Sequence, residues 1–358
     1  MPSLKEIKVR INSISSTLAI TSAMKMVAAA KLQKAQMAIQ NMLPYERRLH
    51  SMLIDLMGAM NISAAASEDG SVRGSGSAER GFDQSGDRLS LSNRHDLAGM
   101  DGAYSLMAQR EVRKVAIVAF ASNSSLCGAF NSNVIREATA VINEYRASGL
   151  GDADITVYSV GRKMAEAMKK LGFPSPADFT KMSDSPSYEA ASALAQELLD
   201  GFVSGRFDKV ELVYNHYKST SSQPTTRQTY LPLSLADATA DLQAGKIADS
   251  ASESDTNRGA EPVGAPVVRQ GSPTTEDLIV EPSKEALIAT LLPKVIRLRI
   301  FTTLLDSAAA EHAARTVAMQ LATDNGNDLL QELTLEYNKG RQQKITSEIL
   351  DLVGGSMQ

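Results

Sequence analysis

Tryptophan is absent from these 358 residues, and aromatic residues make up only 5%. A β-sandwich or a β-barrel core draws on aromatic and β-branched side chains, so this scarcity argues against both. Cysteine occurs once, at Cys127, which excludes an internal disulfide and suits a reducing compartment such as a bacterial cytoplasm. No apolar run is long enough to span a bilayer. The opening MPSLKEIKVR has no apolar stretch and carries an early acid, unlike a signal or transit peptide. The formal net charge of −4 gives no nucleic-acid signature. Phosphate-binding glycine motifs are missing: there is neither a GxxxxGK[ST] loop nor a GxGxxG turn after the first strand-like run. The four histidines, His50, His95, His216 and His312, form no metal-ligand pair at helical spacing. His312, on an alanine-rich helix, reads as packed or solvated. No catalytic residue, cofactor site or metal site is assigned.

What the chain does have is 43% hydrophobic residues, rich in Ala and Met, which favours helix packed on helix. The two ends carry the clearest patterns. Ser3 and Glu6 stand at capping-box spacing. A heptad then places Leu4, Ile11, Leu18, Lys25, Leu32, Ile39, Glu46 and Leu53 at position a. Position d takes Ile7, Ile14, Thr21, Ala28, Ala35, Met42, Leu49 and Leu56. Thirteen of the sixteen are apolar, which predicts a coiled-coil seam. Unbroken from 3 to 57, the helix is roughly 80 Å long at about 1.5 Å per residue, with Pro44 a candidate kink. Its eight basic side chains outnumber three acids, giving a basic face inside an acidic chain. Lys25 falls in the seam, where an unpaired charge is costly; the seam is expected to open there and expose Met24, Lys25 and Met26.

At the other end, Ser283 is the expected N-cap of a helix over 284–353, and Pro293 is expected to kink or restart it. Leu291, Val295, Leu298 and Leu305 line one side. Small residues from Ala308 to Ala318 match Ala28 to Ala30 on the first helix. Leu330, Leu333, Tyr337, Ile345, Ile349 and Leu352 continue the stripe, and Gly354-Gly355 is a stop signal. This helix is longer than the first, so it should overhang as a single-helix tip.

Between the ends, strand-like runs at 114–120, 154–160 and 209–215 alternate with helix-like runs at 131–147, 162–171 and 187–204. That alternation predicts a parallel open sheet, with Thr226–Leu233 as an added strand after a hairpin-like loop. Cys127 sits just past the first strand, where open α/β sheets bind ligands, but with no histidine or CxxC partner in view it reads as structural. The division is a shaft helix over 1–60, a flexible insertion over 61–112, an α/β domain over 113–235, a second insertion over 236–280 (its Ser/Gly/Asp/Ala-rich body at 236–276) and a shaft helix over 281–358. The fold class is α/β with a long antiparallel coiled coil, its central sheet Rossmann-like. That shape suits a coupling role; a free-standing coiled-coil adaptor with an α/β head, or a small-molecule enzyme with helical arms, are the alternatives.

With those pieces placed, the sequence resembles the gamma subunit of rotary ATP synthases. The matching runs are LKEIKVRINSI and AITSAMKMVAAAKLQKAQ at the start, LCGAFN and VGRK in the middle, and AEHAARTVAMQLATDN and LTLEYNKGRQQKITSEILDLVGG at the end. The resemblance implies a non-catalytic central-stalk rotor. Its coiled coil would stand inside a ring of three alpha and three beta subunits, with its C-terminal tip in an apolar collar. The α/β domain would lie against the epsilon subunit and the c-ring, peripheral to the cytoplasmic side of a bacterial inner membrane. Rotation would couple proton flow to ATP synthesis or hydrolysis at the beta sites. By the same resemblance, Met24, Lys25 and the Cys127 loop lie near an acidic segment at the base of beta. Arg341, Gln342, Thr346 and Glu348 would meet a beta loop higher up, Arg341 through its planar fork. The chain departs from the family at Asn123-Ser124-Ser125, where Asp-Arg-Gly is usual, and at Ala310, where Ser is usual. Its insertions are longer than the bacterial norm and contain no cysteine, so a chloroplast-type thiol switch is excluded.

Overall fold

The structure, a computed structural model, describes residues 3–59, 106, 109–233 and 284–355. The body of the 236–280 insertion, the Ser283 cap and most of the 61–112 insertion lie outside the described residues. Two helices dominate: α1 at Leu4–Ala59 and, last in the chain, a helix at Lys284–Gly355. Between them come β1 (Val115–Phe120), α2 (Phe130–Ala147), β2 (Ile155–Val160), α3 (Arg162–Lys170), α4 (Thr180–Asp184), α5 (Tyr188–Val203), β3 (Lys209–Asn215) and β4 (Thr225–Leu231), so the last helix is α6.

The capping box at the start of α1 is present: the Ser3 N–H donates to Glu6 Oε2 at 3.1 Å, and the Glu6 N–H donates to Ser3 Oγ at 3.3 Å. All sixteen heptad positions are buried or half-buried, and α6 covers them. Leu4 meets Gly340, Leu18 meets Gly326, and Thr323 Oγ1 donates to Thr21 Oγ1 at 3.1 Å. Every step up one helix is a step down the other, so the pair is antiparallel. A Cβ added at Gly326 would stand 2.7 Å from Leu18, and one at Gly340 would stand 3.0 Å from Leu4. The missing side chains are what let the backbones approach. Of the three alanines at 28–30 only Ala28 faces in, because a 3.5-residue period turns Ala29 and Ala30 to solvent. Pro44 and Pro293 lie inside unbroken helices, so neither restarts its helix.

The sheet has the order β2-β1-β3-β4, parallel except for β4. Alternation divides each strand between two cores. Val115, Ile117 and Ala119 face Val134, Val141 and Ile142 of α2 and Met164 and Met168 of α3. Ala116, Val118 and Phe120 face the opposite way, toward Leu194, Leu198 and Phe202 of α5. That second core also takes in Leu49, Leu53 and Leu56 of α1 and Ile288, Leu292, Val295, Ile296 and Ile300 of α6. The shaft is therefore not tethered to the head by a linker; its lower part is one wall of the head's core. The short helix α4 was not foreseen from the sequence.

Candidate subunit-contact site and the head–shaft joint

The loop after β1 is built by its own polar side chains. Ser122 Oγ donates to the Ser124 carbonyl at 2.6 Å, and Asn131 Oδ1 accepts the Ser122 N–H at 3.0 Å. Asn123 reaches across to the neighbouring loop: its Oδ1 accepts the Arg162 N–H at 2.8 Å, and its Nδ2 donates to the Thr180 carbonyl at 2.7 Å. The Arg162 guanidinium returns two bonds to the Asn123 carbonyl. Gly161 makes that approach possible, since it sits at φ +97° and a Cβ there would lie 2.0 Å from the Ala121 carbonyl oxygen. Asn123 thus organises the loop through its neutral amide, while its carbonyl is held by the charged Arg162 guanidinium.

The loop is fastened to α6 by Arg315. Its guanidinium donates to the Ser125 carbonyl at 2.6 Å, to Ser124 Oγ at 2.8 Å and to Glu311 Oε1 at 2.7 Å. Arg315 and Glu311 are each only 8% exposed. Burial pushes the Glu311 carboxyl above the usual carboxylate range, against the opposing pull of Arg315. One turn away, the His312 Nδ1 is buried with no partner. Burial, with Lys31 and Arg315 close by, lowers its pKa from 6.5 to about 4, so the imidazole is neutral at physiological pH.

These groups line a cleft of about 330 Å³ whose other walls are Ala23, Met24, Val27, Ala28 and Lys31 of α1 and Ser183 and Asp184 of α4. Met24 and the Ser124 loop, which the resemblance placed at one level of the shaft, are therefore neighbours. Met24 and Lys25 are half-buried, whereas Met26 and Val27 project into solvent. The Cys127 side chain is turned inward: it is 1% exposed and packs against Phe130 and Ala310. What the loop offers outward instead is Leu126, which is 58% exposed at φ 68°.

Arg341, Gln342, Thr346 and Glu348 form a separate region. They lie roughly 40 Å along α6 from the cleft, at about 1.5 Å per residue. All four are exposed. Thr346 Oγ1 donates to the Gln342 carbonyl at 2.9 Å, and Lys344 lies 3.7 Å from Glu348. Because Gly340 abuts Leu4, the segment 341–355 has run past the start of α1. Ile345, Ile349, Leu350, Leu352 and Val353 are all exposed there, Leu352 at 74%.

Open α/β sheets bind ligands beyond the carboxyl ends of their strands. Here that space is occupied by the shaft. The loop after β1 ends on Arg315, and the loop after β3 ends on Asp306, which accepts the Tyr217 N–H at 2.9 Å. Among the described residues no group of three metal-ligating side chains converges. Sequence reasoning passed over Glu311, Arg315, Asp306 and Tyr217. The one available signal was a pair of opposite charges four residues apart on an otherwise small-residue stripe, which is where a buried ion pair would be found.

The comparisons agree with this architecture. A family model described as ATP synthase matches residues 3–357. An ATP synthase gamma chain of Phocaeicola vulgatus is 47% identical over 357 residues, covering 100% of both chains. One from Bacteroides thetaiotaomicron is 45% identical over 358 residues, again covering 100% of each. These relatives span the same length, so the long inserted segments are not peculiar to this chain. Among solved structures, a chain of the Euglena gracilis mitochondrial ATP synthase (OSCP/F1/c-ring, rotational state 3) aligns with a TM-score of 0.52 at 18% identity, covering 99% of this chain and 93% of the other. The long paired helices, the mixed sheet between them and the end-to-end similarity have one explanation: this chain belongs to the family of ATP synthase gamma chains.

Proposed function

We propose that this chain is the central rotor of an ATP synthase and has no catalytic site of its own. Its coiled coil stands inside a ring of three alpha and three beta subunits. Its head sits on the epsilon subunit and the c-ring, which leaves the chain peripheral to the cytoplasmic face of a bacterial inner membrane. Among the described residues no helix is long and apolar enough to cross a membrane, which fits attachment through partners. Turning of the shaft presents different side chains to each beta subunit in turn. A ligand or partner shifts a conformational equilibrium only through unequal contact with its states, and an asymmetric rod supplies that inequality. Proton flow is thereby coupled to ATP synthesis, or hydrolysis to pumping.

The observation that carries this reading is the tip at 341–355, which leaves the head and its helical partner behind yet keeps a row of exposed apolar side chains. Such a row on an otherwise isolated helix calls for an apolar surround. Arg341, Gln342, Thr346 and Glu348 face outward from the same segment as contacts to beta, with the Arg341 fork suited to a carboxylate or several carbonyls. Lower down, Met24, Lys25 and the Cys127 loop form the second contact level, where Met26, Val27 and Leu126 are the exposed apolar side chains. The test is to assemble the chain with alpha and beta subunits and attach a probe to the head. ATP should drive stepwise turning in one direction. If the ring hydrolyses ATP at the same rate without the chain, and no turning occurs with it, the reading is wrong.

A further inference from the structure

The lower shaft is fused to the head's core, and beyond Gln320 the covered residues of α6 fall to the spacing of a two-helix seam against α1. Any twist passing from head to shaft must cross the stretch between. At that level the loop after β3 touches both helices. Tyr217 is its bridge: it packs against the cluster of Leu32 of α1 with Ala309 and Ala313 of α6, and also against the cluster of Cys127, Phe130 and Ala310. Gln36 Nε2 of α1 donates to the Tyr217 hydroxyl at 2.6 Å. Asp306 of α6 accepts the Tyr217 N–H at 2.9 Å through Oδ1, and its Oδ2 lies 2.6 Å from His216 Nδ1. The base of the loop is also fixed: Asn215 Nδ2 donates to the Phe130 carbonyl at 3.1 Å, and Thr225 Oγ1 donates to Asn215 Oδ1 at 2.7 Å. One loop of the head thus holds both shaft helices where they emerge.

We infer that Asp306 is a positioning residue for torque transfer: with Tyr217 as the bridge, it locks the head to both helices so that head and shaft turn as one body. This inference rests on the rotor reading. Asp306 serves two partners from a half-buried site, so a side chain that replaces it must offer two hydrogen-bonding atoms. The charge pair adds a pH response. The hydrogen bond to Asp306 raises the His216 pKa, against burial and the nearby Lys218. Those are the charged groups acting on the imidazole from α6 and from its own loop; α1 contributes the neutral amide of Gln36 to the adjacent Tyr217. A raised folded pKa means the pair is complete below the ordinary histidine pKa of 6.5 and loses its charge as pH rises through the folded value.

The test uses the assembled complex of alpha, beta and this chain, held still by a non-hydrolysable nucleotide, with a probe on the head. The angular fluctuation of the probe reports how stiffly head and shaft are joined. For Asp306→Ala the variance should rise about twofold, because two of the polar links at the joint are lost together. Steady-state ATP hydrolysis and the thermal midpoint of the isolated chain serve as folding checks. Asp306→Asn retains one acceptor for the Tyr217 N–H and a neutral link to His216. It should restore near-wild-type stiffness while removing the loosening expected of the wild type as pH rises through the raised His216 value. A folded Asp306→Ala chain with unchanged variance overturns the inference, as does an Asp306→Asn chain that keeps the pH response. If the wild-type complex does not turn under ATP at all, the rotor reading fails instead.

Discussion

The lower and upper ends of α6 are one continuous helix under opposite constraints. From Ile288 to Ala313 the helix is inward-facing on several sides, against the sheet, α5 and α1 together. From Thr323 to Gly340 only every third or fourth residue is covered, the spacing of a two-helix seam. From Arg341 to Leu350 every side chain is exposed. Yet large apolar residues recur in all three zones. In the first they hold the fold together, and in the last they contribute nothing to it. Apolar side chains that a fold does not use are the mark of a surface made for something else.

Substitutions can break or sharpen that contrast. The largest effect belongs to the base: Leu292, fully buried in the core shared by head and shaft, should cost about 2–5 kcal/mol as Leu292→Ala. It would be read as a lower urea midpoint with an unchanged denaturant slope. Acid should come next. His50 and His312 are held neutral by burial, each with a pKa lowered from 6.5 to about 4. The unfolded chain takes up protons below 6.5 and the folded chain resists until about 4. Stability should therefore fall as pH drops through that window, because the unfolded chain gains the protons first. His50→Phe should flatten the slope in urea titrations across the same pH range.

In the seam, Gly326→Val forces a branched side chain into the space of Leu18. It should cost about 1–3 kcal/mol, seen in thermal melts of the isolated chain. At the tip, Leu352→Ser should change stability by no more than about 0.5 kcal/mol, because the side chain is largely exposed among the described residues. The rotor reading adds that the same change weakens assembly with alpha and beta, measured as a faster loss of the chain from the complex. If Leu352→Ser destabilised the isolated chain as much as Leu292→Ala, the contrast between base and tip would be lost.

Periodicity is the property of the sequence that survived best. Every position that the heptad assigned by spacing alone is covered in α1, because a two-helix seam selects residues at that period, while the head adds others such as His50. The strands were equally visible, since β1 is buried on both faces and therefore reads as one apolar run. The joint was not legible. Arg315 meets Ser125 across 190 positions of chain and Tyr217 meets Gln36 across 181, and no local pattern announces a contact at that separation. Cys127 shows the limit for a single residue. Its place after β1 was apparent, while the inward turn of its thiol depended on Ala310 being small enough to receive it.

The Leu4–Gly340 contact has a mechanical consequence. Below it, a twist is resisted by two helices gripping one another; above it, by a lone rod with no companion to brace against. A lone rod is soft in torsion. On the rotor reading, the free end is then expected to act as a pivot pin that keeps the axle centred, with the crank that delivers work nearer the head.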